Sequence, residues 1–172
     1  MNICGYIPES INEGRGVRAV VFISGCRHAC PGCFSPHTWS FTAGEPFTAS
    51  LQQDIIDGMA RNPLLDGLTI AGGDPFFSAD DVALFVEKVR AQLPQLSIWI
   101  YSGFTWEQIF FQQPQKYLKL LSLCDVLIDG RFEKSLRDVS LPYRGSSNQR
   151  VIDVQQSIYQ RQVILWQSPL SL

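Results

Sequence analysis

Residues 17–33 of the chain read VRAVVFISGCRHACPGC, an apolar run followed at once by three cysteines. The run from Val17 to Ile23 is nearly continuous in hydrophobic residues, which is typical of a strand covered on both faces. Cys26, Cys30 and Cys33 fall in the loop after this strand. The stretch therefore predicts a buried parallel strand whose carboxyl end carries a cluster of thiols.

Three thiols on one short loop indicate a metal site. Soft thiolates hold iron–sulfur clusters, and three of them can fill three corners of a 4Fe-4S cluster. The fourth iron would then stay open to a substrate, as catalytic metal sites do. A structural zinc normally needs a second pair of ligands, whereas Cys4 and Cys124 are isolated in the sequence.

Two other interpretations of the cysteine loop stay open. Cys30 and Cys33 form a C-x-x-C pair that could act as a redox dithiol, although this leaves Cys26 without a role. A structural zinc could recruit His28 or His37, which otherwise look like ordinary loop residues. We favour the cluster because it gives all three cysteines a role without a fourth protein ligand.

The composition indicates one globular domain, and we expect it to span residues 1–172. Hydrophobic residues make up 45% and charged residues 17% of the chain, and the net charge of -2 gives no basic field for nucleic acid or an anionic membrane. No signal segment or bilayer-spanning run is visible. The five cysteines fit a reducing compartment. We therefore expect a cytoplasmic protein with neither nucleic acid nor membrane as a partner.

Apolar runs alternate with helical patterns along the chain. The runs that predict strands are Val17 to Ser24, Leu68 to Ala71, Ser97 to Tyr101, Val126 to Ile128 and Arg150 to Val154. Helices are predicted at Ser50 to Arg61, after Ser78, after Thr105 and at Gln115 to Leu123. The alternation predicts an α/β fold with a mostly parallel sheet. Because a complete eight-unit barrel takes about 250 residues, we expect a partial (βα) barrel of about five to six units or an open doubly wound sheet.

Chemically suggestive residues follow the ends of the predicted strands. After the cysteine loop these are Gly72, Gly73 and Asp74, then Ser102, and finally Asp129 and Arg131. The carboxyl ends of parallel strands form the ligand face of such folds. Four segments that are distant in sequence are therefore expected to meet in one site.

Two of these segments predict contacts to a ligand. Gly72 and Gly73 allow a close approach of the backbone, and Asp74 offers an acceptor for an ammonium group. Asp129 and Arg131 are two residues apart at a strand end, so both could hold the charged groups of an amino-acid moiety. The alternatives are a plain strand-to-helix turn for the first segment and a weak surface ion pair for the second.

A set of motifs along almost the whole chain carries a family resemblance. They are Cys26-x-x-x-Cys30-x-x-Cys33-Phe34, Thr38-Trp39, Gly72-Gly73-Asp74-Pro75, Tyr101-Ser102-Gly103-Phe104, residues 126–133 and residues 144–150. With them the chain resembles the radical S-adenosylmethionine superfamily, and within it the activating proteins of anaerobic ribonucleoside-triphosphate reductase. The resemblance implies a 4Fe-4S cluster on three cysteines and S-adenosylmethionine on the open iron. One-electron cleavage of the sulfonium then yields methionine and a 5′-deoxyadenosyl radical.

The resemblance also implies the activity, the partners and the site residues. The activity is that of an anaerobic oxidoreductase that abstracts a hydrogen atom from a glycine of the reductase large subunit and leaves a glycyl radical. Electrons would come from an external low-potential donor such as flavodoxin. The cluster ligands would be Cys26, Cys30 and Cys33. The S-adenosylmethionine contacts would be Gly72, Gly73, Asp74, Ser102, Asp129 and Arg131. No acid–base residue is expected, because the cofactor makes the abstracting species.

Two positions depart from the pattern of the superfamily. Gly32 stands where many members have an aromatic residue near the adenine, which leaves the adenine contact open. Arg131 stands where related activases often carry lysine, and arginine has a different donor geometry. Other functions that stay open are an activase of another glycyl-radical enzyme, another small radical enzyme, and a non-catalytic iron–sulfur or zinc protein.

Overall fold

A seven-stranded sheet forms the centre of the computed structural model, which describes residues 1–168. Its strands are β1 (Asn2–Ser10), β2 (Arg18–Ile23), β3 (Glu45–Pro46), β4 (Gly67–Gly72), β5 (Ser97–Tyr101), β6 (Val126–Asp129) and β7 (Arg150–Asp153). Their order in the sheet is β3-β1-β2-β4-β5-β6-β7. The sheet is therefore open, with β3 and β7 at its two edges.

The four central strands run parallel, as the sequence predicts. β2 pairs with β4, β4 with β5 and β5 with β6, all in parallel register. The outer pairs are antiparallel: β1 with β2, β3 with β1, and β7 with β6. Strand β7 is antiparallel because residues 130–149 lead into it without an α-helical crossover. The prediction of a mixed α/β fold with a mostly parallel sheet is confirmed.

Four α-helices are present in the described residues: α1 (Ala49–Ala60), α2 (Ala79–Gln92), α3 (Pro114–Ser122) and α4 (Val154–Gln160). The first three connect parallel strands, which is fewer units than the five to six expected from the sequence. Helix α1 begins at the N-cap Thr48, whose hydroxyl accepts a hydrogen bond from the N–H of Leu51. None of the described helices combines the length and apolar character that a bilayer crossing requires.

The capping box predicted after Thr105 is present but opens a short segment. The N–H of Thr105 donates to Oε1 of Gln108 at 2.8 Å, and the N–H of Gln108 donates back to the Thr105 hydroxyl at 3.4 Å. The segment that follows is a five-residue π-helical turn, Gln108–Gln112. Pro114 then starts α3, because the residue before a proline is disfavoured in a helical conformation.

Alternation along the strands separates two apolar clusters on opposite faces of the sheet. Ile98 and Ile100 belong to the large core beneath the helices, together with buried residues such as Phe85 and Trp106. Trp99 belongs to a small aromatic cluster on the other face, which Tyr143 and Trp166 help to cover. Each fully buried aliphatic side chain contributes roughly 1.5–3 kcal/mol, so both faces hold the central strands in register.

Candidate functional site

The cysteine loop begins directly after β2. The N–H of Cys26 donates to the carbonyl of Trp39 at 3.0 Å, and the N–H of Cys33 donates to the carbonyl of Cys30 at 3.0 Å in a tight turn. All three thiols are free and partly buried. The loop therefore holds its cysteines in a defined backbone geometry, with no disulfide among them.

Backbone N–H groups donate hydrogen bonds to two of the thiols, Cys26 and Cys30. Burial raises the pKa of Cys26 and of Cys30. Hydrogen bonds from the N–H groups of His28 and Ala29 oppose this at Cys26, and a backbone hydrogen bond from Phe132 opposes it at Cys30. A bound metal replaces the thiol proton. The amides would then stabilise the negative charge left on the sulfur atoms.

The three cysteines line one open cavity of about 740 Å³. The same cavity is lined by residues from the carboxyl ends of the other parallel strands, namely Gly72 and Gly73 at β4, Ser102 and Gly103 at β5, and Gly130 at β6. This confirms the prediction that four sequence-distant segments meet in one site. The volume is within the range of pockets that hold a small-molecule ligand, about 300–1,000 Å³.

One cationic side chain, Arg144, lines this cavity among the described residues. Its Nη1 donates to the carbonyl of Gln149 at 2.9 Å, while its buried Nε has no hydrogen-bond partner in residues 1–168. Buried donors without a partner are uncommon and call for an explanation such as a ligand or a water molecule. The sequence motif containing Arg144 carried no assigned role, and the structure brings it to the cavity wall.

Asp74 lies behind the cavity wall with only 1% of its surface exposed. Its Oδ1 accepts from the N–H of Phe76 at 2.9 Å, and its Oδ2 accepts from the N–H of Gly103 at 2.8 Å and from Nε2 of His28 at 2.7 Å. The Ser102 hydroxyl donates to the same carboxylate at 2.9 Å. Two carboxylate oxygens offer about four acceptor sites. The predicted contact of Asp74 with a ligand ammonium stays a prediction, and the carboxylate already accepts hydrogen bonds from four donors of the protein.

In the structure Asp129 pairs with Arg150, and residues 1–168 contain no ion pair between Asp129 and Arg131. Strand β6 ends at Asp129, and Gly130 has a φ of 92°, so the extended backbone that would put both side chains on one side is interrupted. Asp129 is buried and accepts from Nε of Arg150 at 3.0 Å and from the N–H of Trp106 at 2.7 Å. Arg131 is exposed. Their roles as ligand contacts stay predictions.

Comparisons with known proteins agree with this geometry. The family described as "4Fe-4S single cluster domain" matches residues 12–152. The anaerobic ribonucleoside-triphosphate reductase-activating protein of Escherichia coli K12 is 37% identical, over 88% of this chain and 97% of its own length. The proteins of the same name are 38% identical in Pasteurella multocida, over 87% and 95%, and 35% identical in phage T4, over 88% and 93%. The chain belongs to this family of activating proteins.

Besides Arg144, sequence reasoning missed His28 of this activating-protein chain. It was interpreted as an ordinary loop residue, but its side chain is 4% exposed and contacts Asp74. Its ring also packs edge-on against Phe104, with the ring centroids 4.6 Å apart. A signal was available, because His28 lies between Cys26 and Cys30 in the predicted metal loop.

The zinc alternative finds no ligand set in the part of the chain that the structure describes. Within residues 1–168, no three His, Cys, Asp or Glu side chains are close enough to hold a single metal ion. A 4Fe-4S cluster has a different requirement, because each thiolate binds its own iron atom and the sulfurs need not surround one centre. The iron–sulfur family match and the three-thiol loop therefore agree with each other.

Proposed function

We propose that this chain holds a 4Fe-4S cluster on Cys26, Cys30 and Cys33 and uses S-adenosylmethionine to generate a glycyl radical on anaerobic ribonucleoside-triphosphate reductase. The observation that carries the proposal is the shared cavity, in which these cysteines face the glycine-rich ends of β4 and β5. The residues fit the group chemically, because three soft thiolates suit iron and leave one corner of the cluster without a protein ligand.

The bound cluster and S-adenosylmethionine would together supply the radical that takes a hydrogen atom from the glycine. The chain itself would position these groups and exclude water from them. Gly72, Gly73 and Ser102 line the cavity and are the proposed contacts of S-adenosylmethionine. Asp74 and Asp129 would hold the residues of the cavity wall in place, because both are 1% exposed and hydrogen-bonded to other protein groups.

Arg131 and Arg144 are the proposed cationic groups around the ligand. Arg144 lines the cavity, and Arg131 lies close enough to Cys30 to favour its thiolate. A carboxylate such as that of the methionine moiety would find its charge partner at one of them. Arginine at either position could form bidentate hydrogen bonds with a carboxylate, whereas lysine would offer only a point charge.

The open sheet supports a protein partner. We propose that residues 1–172 form one radical S-adenosylmethionine domain of the partial-barrel type, whose open side admits a glycine-bearing loop of the reductase. Phe34 and Val139 line the cavity and are 63% and 83% exposed, as expected for a surface that a partner covers. An external low-potential donor such as flavodoxin is proposed as the electron source, and the cytoplasm as the compartment.

Electron paramagnetic resonance under anaerobic conditions tests this function. The iron-reconstituted and reduced protein would be mixed with S-adenosylmethionine and the reductase large subunit. We expect a glycyl-radical doublet that is absent in Cys30→Ala. Cys124→Ala is the matched control, because Cys124 is fully buried beside α3 and contacts Leu120 rather than the cavity.

The other outcomes separate the alternatives. A cluster signal that S-adenosylmethionine perturbs, with no doublet on this reductase, would favour an activase of another glycyl-radical enzyme or a different small radical enzyme. A cluster signal that S-adenosylmethionine leaves unchanged would favour an electron carrier. Zinc without acid-labile sulfide in the purified protein would refute the proposal.

A further inference from the structure

His28 and Asp74 form a buried pair that joins two loops at the cavity. His28 belongs to the cysteine loop and Asp74 to the turn after β4, so 46 residues separate them in sequence. The distance from His28 Nε2 to Asp74 Oδ2 is 2.7 Å, and the two side chains are 4% and 1% exposed. A hydrogen bond between side chains that are shielded from water is stronger than one at the surface.

The same carboxylate also binds the loop after β5. It accepts from the Ser102 hydroxyl at 2.9 Å and from the N–H of Gly103 at 2.8 Å. Asp74 therefore connects three of the four segments that line the cavity. Its own turn is fixed by the N–H of Phe76, which donates to Oδ1 at 2.9 Å.

Packing leaves the His28 ring little freedom to move. Phe77 and Phe104 contact it with centroid separations of 5.2 Å and 4.6 Å. Gly103 lies beneath the ring, and a Cβ at that position would come within 2.4 Å of the imidazole. A glycine is therefore needed there for the ring to reach Asp74, and the imidazole is oriented by packing as well as by its hydrogen bond.

We propose that the His28–Asp74 pair is a positioning device that fixes the cysteine loop relative to the S-adenosylmethionine face. This inference rests on the proposed function. His28 lies between Cys26 and Cys30 in the sequence, and Asp74 directly follows Gly72 and Gly73, so the pair connects two segments that line the cavity. It sets the separation between the cluster and the groups that hold the methionine moiety, and neither residue needs to contact S-adenosylmethionine. In this proposal Asp74 acts as a bridge between loops, and its predicted contact with the ligand ammonium is not required.

Substitutions at His28 separate the hydrogen bond from the size of the side chain. His28→Leu keeps bulk between Phe77 and Phe104 but removes the donor. His28→Gln keeps an N–H donor at a similar reach. His37→Leu is the control, because His37 is an exposed histidine close to the cysteine loop. Each reconstituted variant would be examined for iron and sulfide content, for S-adenosylmethionine affinity by equilibrium dialysis, and for the change in the reduced-cluster resonance on adding S-adenosylmethionine.

We expect His28→Leu to retain the cluster, to bind S-adenosylmethionine about tenfold more weakly, as loss of roughly 1.4 kcal/mol implies, and to show a diminished change in the cluster resonance. His28→Gln should recover most of both properties, and His37→Leu should match the unsubstituted protein. Unchanged affinity and resonance in His28→Leu would overturn the proposal. Loss of iron in both His28→Leu and His28→Gln would also overturn it, because His28 would then be acting as a ligand.

Amide hydrogen exchange in the cofactor-free protein tests the pair without relying on the proposed function. We expect His28→Leu to accelerate exchange in residues 25–34 and at Gly103, whose N–H is bound to Asp74. Unchanged exchange would overturn the positioning role even if radical formation were shown. Faster exchange in a protein that never binds S-adenosylmethionine would keep the pair as a bridge between loops and refute its role in positioning the cofactor.

Discussion

The two ends of the parallel strands each carry a buried charged group with filled hydrogen-bonding capacity. At the carboxyl ends, Asp74 accepts from donors in three loops. At the amino ends, Arg18 is 1% exposed and donates to the Thr69 and Ser97 hydroxyls and to the carbonyls of Arg15, Leu68 and Ser97. Its guanidinium also lies over the Trp99 ring, 5.1 Å from the centroid.

The difference lies in what each charge joins. Asp74 ties together loops that line the cavity, whereas Arg18 ties the first residues of neighbouring strands to one another. Burial lowers the pKa of Arg18 to about 10, and its hydrogen bonds keep the charge satisfied at neutral pH. The comparison predicts that Asp74 supports the site, whereas Arg18 supports the fold.

Substitution of Cys30, a proposed cluster ligand, should have the largest effect on function and the smallest on folding. We expect Cys30→Ala to remove the glycyl radical signal while changing the free energy of unfolding of the cofactor-free protein by no more than about 0.5 kcal/mol, as for a substitution outside the core. Cys30 is partly exposed in a loop, and the helices pack against the sheet without it. Urea unfolding followed by circular dichroism measures this, and a large loss of stability would contradict the division between the two ends.

Arg18→Met should lower the stability of the fold and leave cofactor binding unchanged. The variant keeps an unbranched side chain of similar length but leaves the acceptors on Thr69, Leu68 and Ser97 without their donor. We expect the free energy of unfolding to fall by about 2–4 kcal/mol, because buried polar groups left unpaired are costly. Iron content and the response of the cluster resonance to S-adenosylmethionine should stay unchanged. Weakened S-adenosylmethionine binding in a folded variant would show that the two ends are coupled.

A pair of glycine substitutions sharpens the same comparison. A Cβ at Gly73 would lie 2.4 Å from the carbonyl oxygen of Gly25, and a Cβ at Gly67 would lie 2.2 Å from that of Ser97. Each alanine should cost about 1–3 kcal/mol of stability through overpacking. Gly73→Ala should in addition weaken S-adenosylmethionine binding, because the new methyl group would push Gly25, and with it the start of the cysteine loop, away from the turn after β4. Gly67→Ala should leave S-adenosylmethionine binding unchanged. Equal S-adenosylmethionine affinities in the two variants would argue against a separate role for the carboxyl end.

The smallest effect is expected at the rim of the cavity. Arg137 lies over the Phe34 ring, 5.5 Å from the centroid, and Lys134 approaches the loop at Gly32. We expect Arg137→Glu to slow activation of the reductase several-fold at low salt and less at high salt, because exposed charges act mainly on association. Cleavage of S-adenosylmethionine without the reductase should be unaffected. Lys88→Glu on α2 is the control, and equal slowing by both variants would argue against a docking role for the rim.

Much of the fold was predictable because buried parallel strands have nearly continuous hydrophobic sequences. The runs at Val17 to Ser24 and Ser97 to Tyr101 correspond to β2 and β5. Strand β1 was missed because Asn2–Ser10 contains a glycine, a proline and several polar residues, and its pairing with β2 overrides its weak propensity. The antiparallel direction of β7 was not visible either, since it depends on the path of residues 130–149.

The positions of the site segments followed from the sequence, but the partners of the side chains did not. A residue that follows a parallel strand must lie at the ligand face, so Cys26, Gly73 and Ser102 could be assigned there in advance. Asp129 illustrates the limit, because its partner Arg150 comes from β7 and is 21 residues away. Charge pairing at such a separation depends on which strand lies alongside in the sheet, and a local sequence pattern does not predict that neighbour.

The sequence by itself indicated an iron–sulfur protein, through three cysteines that follow a buried strand, and it indicated the family through motifs spread along the chain. Only the tertiary structure decided what the buried charges do. It placed Asp74 in hydrogen bonds with His28 and the β5 loop, paired Asp129 with Arg150, and brought Arg144 to the cavity. The physical reason is that ligand-binding residue types are local properties of the chain, whereas satisfying a buried charge requires donors from elements that meet only after folding.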